Sequence, residues 1–273
     1  MFPSVIFTFL AAFQFHTFEF LVCATDEKSI FILAGQSNMA GRGGVTNGTW
    51  DGCVPHECRP DPRILRLNPK LMWEEAREPL HGGINTKPCG VGPGISFANS
   101  VLQRDPCLGV IGSVTCAPGG TNITEWKQGS DLYYWLLKRA NAALRDEGKI
   151  RAILWYQGES DSADETRAKM YKKRLIEFFL HIRRDLPSPV LPIIQVALAS
   201  NAGLYYEVVR KAQLEIKLPN VICVDAKELE VKKNDTLHLT TSAQVHLGKM
   251  LANAFFDIGI YSVLIKAWVE KTY

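Results

Sequence analysis

The sequence has little that would indicate a membrane, nucleic-acid-binding or fibrous protein. After residue 24 no apolar run is long enough to cross a bilayer, and there is no internal repeat or low-complexity tract. There is no excess of charge of one sign either, since 31 Lys and Arg residues face 28 Asp and Glu residues, a net charge of +3. So small an imbalance in 273 residues gives no reason to expect nucleic acid or an acidic membrane as a partner.

Nucleotide-binding signatures are also absent from the glycine-rich stretch "FILAGQSNMAGRGG", Phe31 to Gly44. A Walker loop would need Lys followed by Ser or Thr, and a dinucleotide fingerprint would need three glycines at fixed offsets. The serine turn of the α/β-hydrolases would need glycine two residues after Ser37, where Met39 stands. What remains is a strand-like run that ends on a serine among small and polar residues, which is either a nucleophile or a helix N-cap.

Residues 1–24 lack the basic start of a typical signal peptide but otherwise fit one. Phe2 to Phe15 carries no charge, and "LVCA" at 21–24 ends in small residues that a signal peptidase accepts. We predict a signal peptide removed after Ala24, followed by a single domain over 25–273 that is secreted to the extracellular space or cell wall. An N-terminal anchor or buried element is the alternative.

Six cysteines follow residue 24, and an even number in a secreted chain predicts disulfides. Cys53, Cys58 and Cys89 lie in Gly- and Pro-rich segments and are the cysteines most expected to pair. Cys223, inside "NVICVDA", is expected to be a buried free thiol in a strand. Three acceptor sequons fit a glycoprotein: Asn47-Gly-Thr49, Asn122-Ile-Thr124 and Asn234-Asp-Thr236.

Short apolar runs alternate with helix-period segments, which predicts a doubly wound α/β/α sandwich with a mostly parallel sheet. Ser162-Ala-Asp-Glu165 is a capping box expected to open one helix, and Thr241-Ser-Ala-Gln244 opens another. A third helix is expected from Tyr133 to Glu147, with Gly148 as its C-cap. The predicted strands are Ser29–Ala34, Leu108–Cys116, Ile150–Tyr156, Ile193–Leu198 and Val221–Asp225. The segment Gly41 to Gly92 is predicted to be a long functional loop.

Ligands of open α/β sheets bind beyond the carboxyl ends of the strands, so the residues after each strand are the informative ones. Ser37 follows the first strand, and His238 in "NDTLHLTT" follows the last. Asp235 precedes His238 by three residues, close enough to orient an imidazole that activates a serine. Taken alone, the Asp and His also fit a chance hydrophilic loop.

An acyl-transfer site also needs hydrogen-bond donors that face the developing oxyanion. Gly94 opens a helical segment, so its N–H could face the site. Gln157 follows the third strand in "WYQGESD" and offers a side-chain amide. For both residues the purely structural explanation is a turn or a helix start.

Five blocks taken together carry a family resemblance: "GQSNMAGRG", "GPGISFA", "APGGTNITEW", "WYQGESD" and "DTLHLTTSAQVHLG". In this order, over roughly residues 29 to 257, they resemble the SGNH-hydrolase superfamily, and in particular its sialate O-acetylesterase-type branch with plant carbohydrate esterases and acetyl-xylan esterases. The resemblance implies a flavodoxin-like α/β/α sandwich and a serine esterase that uses no metal or cofactor.

The same resemblance implies roles for individual residues. Ser37 would be the nucleophile, His238 the general base and acid, and Asp235 the residue that orients the histidine. The N–H groups of Ser37 and Gly94 and the Gln157 side chain would form the oxyanion hole; the wider superfamily has asparagine in place of Gln157. The expected substrate is an acetylated oligo- or polysaccharide, and no prediction is made for the oligomeric state.

Two other functions remain open at this stage. One is a non-catalytic glycan-binding protein on the same scaffold, and the other is an SGNH lipase or thioesterase. Val54, Ile64, Leu65 and Leu67 are candidates for an acyl groove in the second case, although core packing explains these residues better. Three tryptophans are candidates for stacking on sugar rings: Trp50, Trp73 and Trp126.

Overall fold

The structure is a computed structural model that describes residues 27–145, 147–186, 188–199 and 203–272, with side chains as far as residue 258. The predicted signal peptide lies outside the described residues and stays a prediction. In the part of the chain that is described, no helix is both long and apolar enough to cross a membrane.

A seven-stranded sheet forms the centre of the molecule, in the order β5-β4-β6-β1-β7-β8-β9. Only the edge strand β5 is antiparallel to its neighbour. The strands of this sheet are β1 (Lys28–Gly35), β4 (Ile64–Leu67), β5 (Trp73–Glu75), β6 (Ile111–Cys116), β7 (Gly148–Tyr156), β8 (Ile193–Ala197) and β9 (Val221–Asp225). Seven of the eight residues of β1 are buried, as expected for a parallel strand covered on both faces.

Helices cover both faces of this sheet. They are α1 (Ser37–Ala40), α2 (Pro93–Arg104), α3 (Asp131–Ala143), α4 (Glu165–Asp185), α5 (Tyr206–Leu214) and α6 (Thr241–Thr272). On one face Phe31 of β1 packs edge-on against Phe97 of α2 and Phe255 of α6, with centroids 4.9 Å and 5.0 Å away. On the other face Trp155 of β7 packs against Phe178 of α4 at 4.7 Å. The predicted three-layer sandwich is confirmed.

Two helix boundaries differ from the prediction. α4 begins later than the capping box suggested, because Asp164 is its N-cap and accepts from the Arg167 N–H at 2.8 Å. Ser162 instead donates its hydroxyl to the Glu159 carbonyl at 2.7 Å. α3 ends at Ala143, so Gly148 is not its C-cap but the first residue of β7. A Cβ at Gly148 would lie 2.4 Å from the Ile30 side chain, so crowding between strands explains this glycine.

The segment 41–92 is more ordered than the predicted loop. It contributes β4 and β5 to the sheet and a small hairpin of β2 (Val45–Thr46) and β3 (Thr49–Trp50). Near the other end of the chain, β10 (Val231–Lys232) pairs with β11 (Asp235–Leu239). The strands of these two hairpins are two to five residues long and partly exposed. They are too short for a sequence periodicity to be recognised, so they were not predicted.

The predicted cysteine pairing is wrong for the three loop cysteines. Cys53, Cys58 and Cys89 are free thiols. Cys58 is fully buried, and burial raises its pKa to about 12. Cys89 instead contacts Arg42, with its Sγ atom 3.4 Å from Nη1. Cys223 is a free thiol in β9, as predicted, although half-buried rather than buried.

Candidate active site

Ser37 lies where β1 ends, at the carboxyl edge of the sheet. The approach of β1 to β7 requires glycine at position 35, because its φ is +131° and a Cβ there would be 2.1 Å from the Tyr156 carbonyl oxygen. The next N–H, of Gln36, donates to the same carbonyl at 2.9 Å. Ser37 then begins α1 and is only 4% exposed. The chain thus turns sharply and holds the serine in a fixed position.

The structure brings Ser37, His238 and Asp235 together across 201 residues of sequence. The Ser37 Oγ atom is 2.8 Å from His238 Nε2, and His238 Nδ1 is 2.6 Å from Asp235 Oδ2. Asp235 and His238 lie on β11, whose partner strand β10 supplies Lys232. The Lys232 Nζ atom is 3.3 Å from Asp235 Oδ2 and donates to the Val45 carbonyl at 2.9 Å. Hydroxyl, imidazole and carboxylate therefore form one hydrogen-bonded line.

Asn38 joins the nucleophile segment to the histidine strand. Its Nδ2 atom donates to Glu159 Oε1 at 2.7 Å and to the Leu237 carbonyl at 3.0 Å, and its Oδ1 atom accepts from the Leu239 N–H at 3.1 Å. Leu237 and Leu239 flank His238, so these bonds hold β11 against Ser37. Neither Asn38 nor Glu159 was singled out from sequence for this role; a polar residue directly after the candidate nucleophile was the available signal.

The environment shifts the pKa values of the site in ways that suit acid–base chemistry. Burial lowers the pKa of His238 below its usual value, Asp235 opposes this shift, and the charges of Arg42 and Lys232 add to it. Burial alone would raise the pKa of Asp235, but its hydrogen bonds with His238 and Lys232 outweigh burial and the net shift is downward. At neutral pH the site therefore holds a neutral imidazole beside an ionised carboxylate.

The two other predicted oxyanion donors do not line the cleft around Ser37. The Gln157 Nε2 atom is fully buried and already donates to Asp161 Oδ2 at 2.7 Å and to the Thr121 carbonyl at 3.0 Å. Because an amide nitrogen has two protons, no proton is left for a substrate. Gly94 is the second residue of α2, where a Cβ would lie 2.5 Å and 2.4 Å from the Leu33 and Leu80 side chains. The placement of Gln157 does not fit the role predicted from sequence, and the role of the Gly94 N–H stays a prediction.

A glycine missed by the sequence analysis lies beside the nucleophile. Gly119 belongs to the turn after β6, and a Cβ there would be 3.4 Å from Ser37 Cβ. In the part of the chain that is described, the backbone N–H groups of Ser37 and Gly119 have no protein acceptor. The "PGG" sequence in the block "APGGTNITEW" after β6 was the signal for this glycine, to which the sequence analysis gave no role.

Eight of the twelve described residues that line the cleft have polar or charged side chains. Its walls are formed by Gln36, Ser37, Arg42, Lys87, Gly120, Glu159, Ser160, Ala163, Gly203, Thr236, Leu237 and His238, around a volume of about 440 Å³. The three candidate tryptophans are not among them, and Trp126 is fully buried against Trp155. Among the described side chains, no group of three His, Cys, Asp or Glu residues could hold a metal ion.

Comparisons with known proteins agree with this geometry. A family model described as "Carbohydrate esterase, sialic acid-specific acetylesterase" matches residues 27–257. An Arabidopsis thaliana protein named probable carbohydrate esterase At4g34215 is 53% identical over 238 residues, which cover 84% of this chain and 91% of that protein.

Solved structures give the same result. The X-ray structure of the Arabidopsis protein AT4G34215 has a TM-score of 0.81 at 52% identity and covers 85% of this chain and 98% of its own. XAC1771 of Xanthomonas citri, described as a carbohydrate acetylesterase, has a TM-score of 0.59 at 19% identity, covering 83% of this chain and 55% of its own. At that identity the second similarity supports the shared fold alone. The family match over most of the chain shows that this protein belongs to the carbohydrate esterase family described as sialic acid-specific acetylesterase, and so is a carboxylic ester hydrolase.

Proposed function

We propose that this protein removes O-acetyl groups from a carbohydrate by a Ser-His-Asp acyl-enzyme mechanism. The observation that carries the proposal is the pair of short contacts between Ser37 Oγ and His238 Nε2 and between His238 Nδ1 and Asp235 Oδ2. Serine is a weak nucleophile until a base takes its proton, and the base must be held in the correct tautomer by a third group. The line of contacts meets both needs.

The reaction follows from these positions. His238 Nε2 takes the Ser37 proton as Oγ attacks the ester carbonyl, and the electron pair of the carbonyl bond moves to its oxygen. Collapse of this tetrahedral intermediate breaks the bond to the sugar oxygen, which leaves as an alcohol with the proton from His238. Water then attacks the acetyl-serine by the same route and releases acetate. The ionised Asp235 stabilises the imidazolium formed in each step.

The residue types in the cleft wall suit a hydrophilic substrate such as a sugar better than a lipid. Among the lining residues that the structure describes, only Ala163 and Leu237 have apolar side chains. None of the four residues proposed for an acyl groove lines this cleft. Ile64 and Leu67 are each only 1% exposed and lie in the core, Leu65 is half-buried, and Val54 is exposed elsewhere on the surface. These observations support a carbohydrate esterase over the lipase or thioesterase alternative.

A Ser37→Ala variant tests the mechanism and separates it from a glycan-binding function. With p-nitrophenyl acetate and with acetylated xylan and pectin, the variant should lose nearly all of the wild-type turnover, while Ser100→Ala on α2 should match the wild type. Turnover of octanoyl esters at least as fast as that of acetyl esters would favour the lipase alternative. Unchanged activity of Ser37→Ala would rule out the assigned nucleophile, and glycan binding by an inactive wild type would identify a binding protein.

A further inference from the structure

Arg42 is a buried cation on the wall of the catalytic cleft for which the hydrolysis steps above have no use. The residue is 5% exposed. Its Nη1 atom donates to the Gly41 carbonyl at 3.0 Å and lies 3.4 Å from Cys89 Sγ, which fixes the side chain. Its Nη2 atom is shielded from solvent and has no hydrogen-bond acceptor among the residues that the structure describes. A desolvated N–H group of a cation is costly when it has no acceptor, unless a partner arrives.

The other buried arginines show what a purely structural arginine looks like in this fold. Arg139 and Arg183 direct their guanidinium groups at main-chain carbonyls. Arg210 binds the Leu198 carbonyl and the Asp225 carboxylate. None of these three has a shielded nitrogen without an acceptor. Arg42 differs from them because its Nη2 atom still has an N–H group available for a ligand.

The Arg42 Nη2 atom and Ser37 both lie next to Gly119. The position that a Cβ of Gly119 would occupy is 2.8 Å from Arg42 Nη2, 3.2 Å from Asn85 Nδ2 and 3.4 Å from Ser37 Cβ. The distance between Arg42 Nη2 and Ser37 Cβ is therefore at most the sum of the 2.8 Å and 3.4 Å distances, about 6 Å. The Asn85 amide makes one long bond, to the Ala117 carbonyl at 3.4 Å, and keeps a second proton. The N–H donors of Arg42 and Asn85 and the Ser37 side chain thus surround the position that a Cβ at residue 119 would occupy. Only glycine at this position leaves that space unfilled.

We propose that Arg42, assisted by Asn85, supplies the side-chain part of the oxyanion hole. This inference rests on the function proposed above. When Ser37 Oγ bonds to the ester carbon, the carbonyl electron pair moves to the oxygen, and Arg42 Nη2 and Asn85 Nδ2 donate hydrogen bonds to that oxygen together with the Ser37 and Gly119 N–H groups. Arg42 keeps its proton throughout. The two side chains replace Gln157, whose amide protons are used inside the protein.

A different role for the same cation is recognition of a carboxylate on the substrate. Lys87 also lines the cleft, and its Nζ atom is 3.2 Å from the Cβ position of Gly120, so two cations could bind an acidic sugar. The oxyanion role is better supported, because Arg42 Nη2 lies within about 6 Å of Ser37 Cβ. A sugar carboxylate is separated from the acetyl carbonyl by several bonds and fits the exposed Lys87 at the rim better.

Arg42→Gln and Arg42→Lys, assayed on neutral p-nitrophenyl acetate, separate the two roles. Removal of an oxyanion donor should lower kcat by about 10²- to 10³-fold with little change in KM. Arg42→Lys, which keeps the charge, should recover part of the loss, and Asn85→Ala should show a smaller loss. A trifluoromethyl ketone, which forms a tetrahedral adduct on serine, should lose affinity for each variant in proportion to the fall in kcat/KM.

Arg183→Gln is the matched control, because it removes a buried arginine that contacts only main-chain carbonyls; it should lower Tm but leave kcat unchanged. Three results would overturn the proposal: a kcat for Arg42→Gln within threefold of the wild type, a loss confined to acidic sugar esters, or an unchanged ketone affinity. Each of these would leave the esterase function standing if Ser37→Ala is inactive. An inactive wild type would reject both proposals.

Discussion

The pH dependence of folding stability should change when the carboxyl group of Glu159 is replaced by an amide. Glu159 is 3% exposed, and its Oε1 atom accepts from Asn38 Nδ2 at 2.7 Å. Its Oε2 atom is shielded and has no partner among the described residues. Burial therefore raises the pKa of Glu159 from 4.5 to about 7, against the opposing hydrogen bond from Asn38. The folded protein holds this proton over a pH range in which the unfolded chain has released it.

The size of the effect follows from the two pKa values. The contribution of Glu159 protonation to folding stability is fully present below the unfolded pKa of 4.5 and is lost as the pH rises through the folded pKa of about 7. At about 1.4 kcal/mol per pKa unit, the whole difference corresponds to about 3 kcal/mol, of which about 2–3 kcal/mol falls between pH 5 and pH 8. Glu159→Gln keeps an oxygen acceptor for Asn38 and removes the titration. The free energy of unfolding of this variant, relative to that of the wild type, should therefore rise by about 2–3 kcal/mol between pH 5 and pH 8.

Urea unfolding of the wild type and Glu159→Gln at pH 5 and pH 8 measures this difference. Glu177→Gln, which changes an exposed residue of α4, serves as the control and should show the same pH dependence as the wild type. A difference between wild type and Glu159→Gln that varies by less than 1 kcal/mol between the two pH values would refute the reasoning. It would mean that the carboxyl group is hydrated or paired in solution.

Two further predictions concern the histidine strand. Asn38→Ala leaves the Glu159 carboxyl and the Leu239 N–H without their partner, so we expect a loss of about 2–4 kcal/mol in the free energy of unfolding and a fall in kcat; urea unfolding within 0.5 kcal/mol of the wild type would contradict this. Because burial lowers the pKa of His238 despite the opposing effect of Asp235, and because only neutral imidazole acts as the base, the acid limb of kcat/KM should have its midpoint below 6.5. A midpoint at or above 6.5 in the pH profile for p-nitrophenyl acetate would argue against this environment.

Much of the fold could be predicted because its strands are buried on both faces. β1 and β6–β9 are near-continuous apolar runs, and the buried stripe of α4 repeats at helical spacing. The order of serine, aspartate and histidine along the chain also indicated which residues should meet at the carboxyl edge of a parallel sheet. The edge strands β4 and β5 and the hairpins were missed, since short, half-exposed strands carry no clear period.

The free state of Cys53, Cys58 and Cys89 and the hydrogen-bond donors around Ser37 could not be predicted from composition or spacing. Whether a cysteine pairs depends on the distance to another sulfur, which the sequence does not contain. Gln157 has the right chemistry for an oxyanion donor, yet its neighbours in space take both of its protons. Arg42 and Asn85 stand 43 positions apart, and neither belongs to a motif that marks an oxyanion donor.

By itself, the sequence determined the layered α/β architecture, the family and the three residues that form the Ser37–His238–Asp235 line, because burial patterns and residue types are properties of the chain. Only the tertiary structure decided which polar groups are already satisfied and which have no acceptor. That distinction depends on the position of every neighbouring donor and acceptor, and it assigns Gln157 to the interior and leaves Arg42 Nη2 without an acceptor close to Ser37.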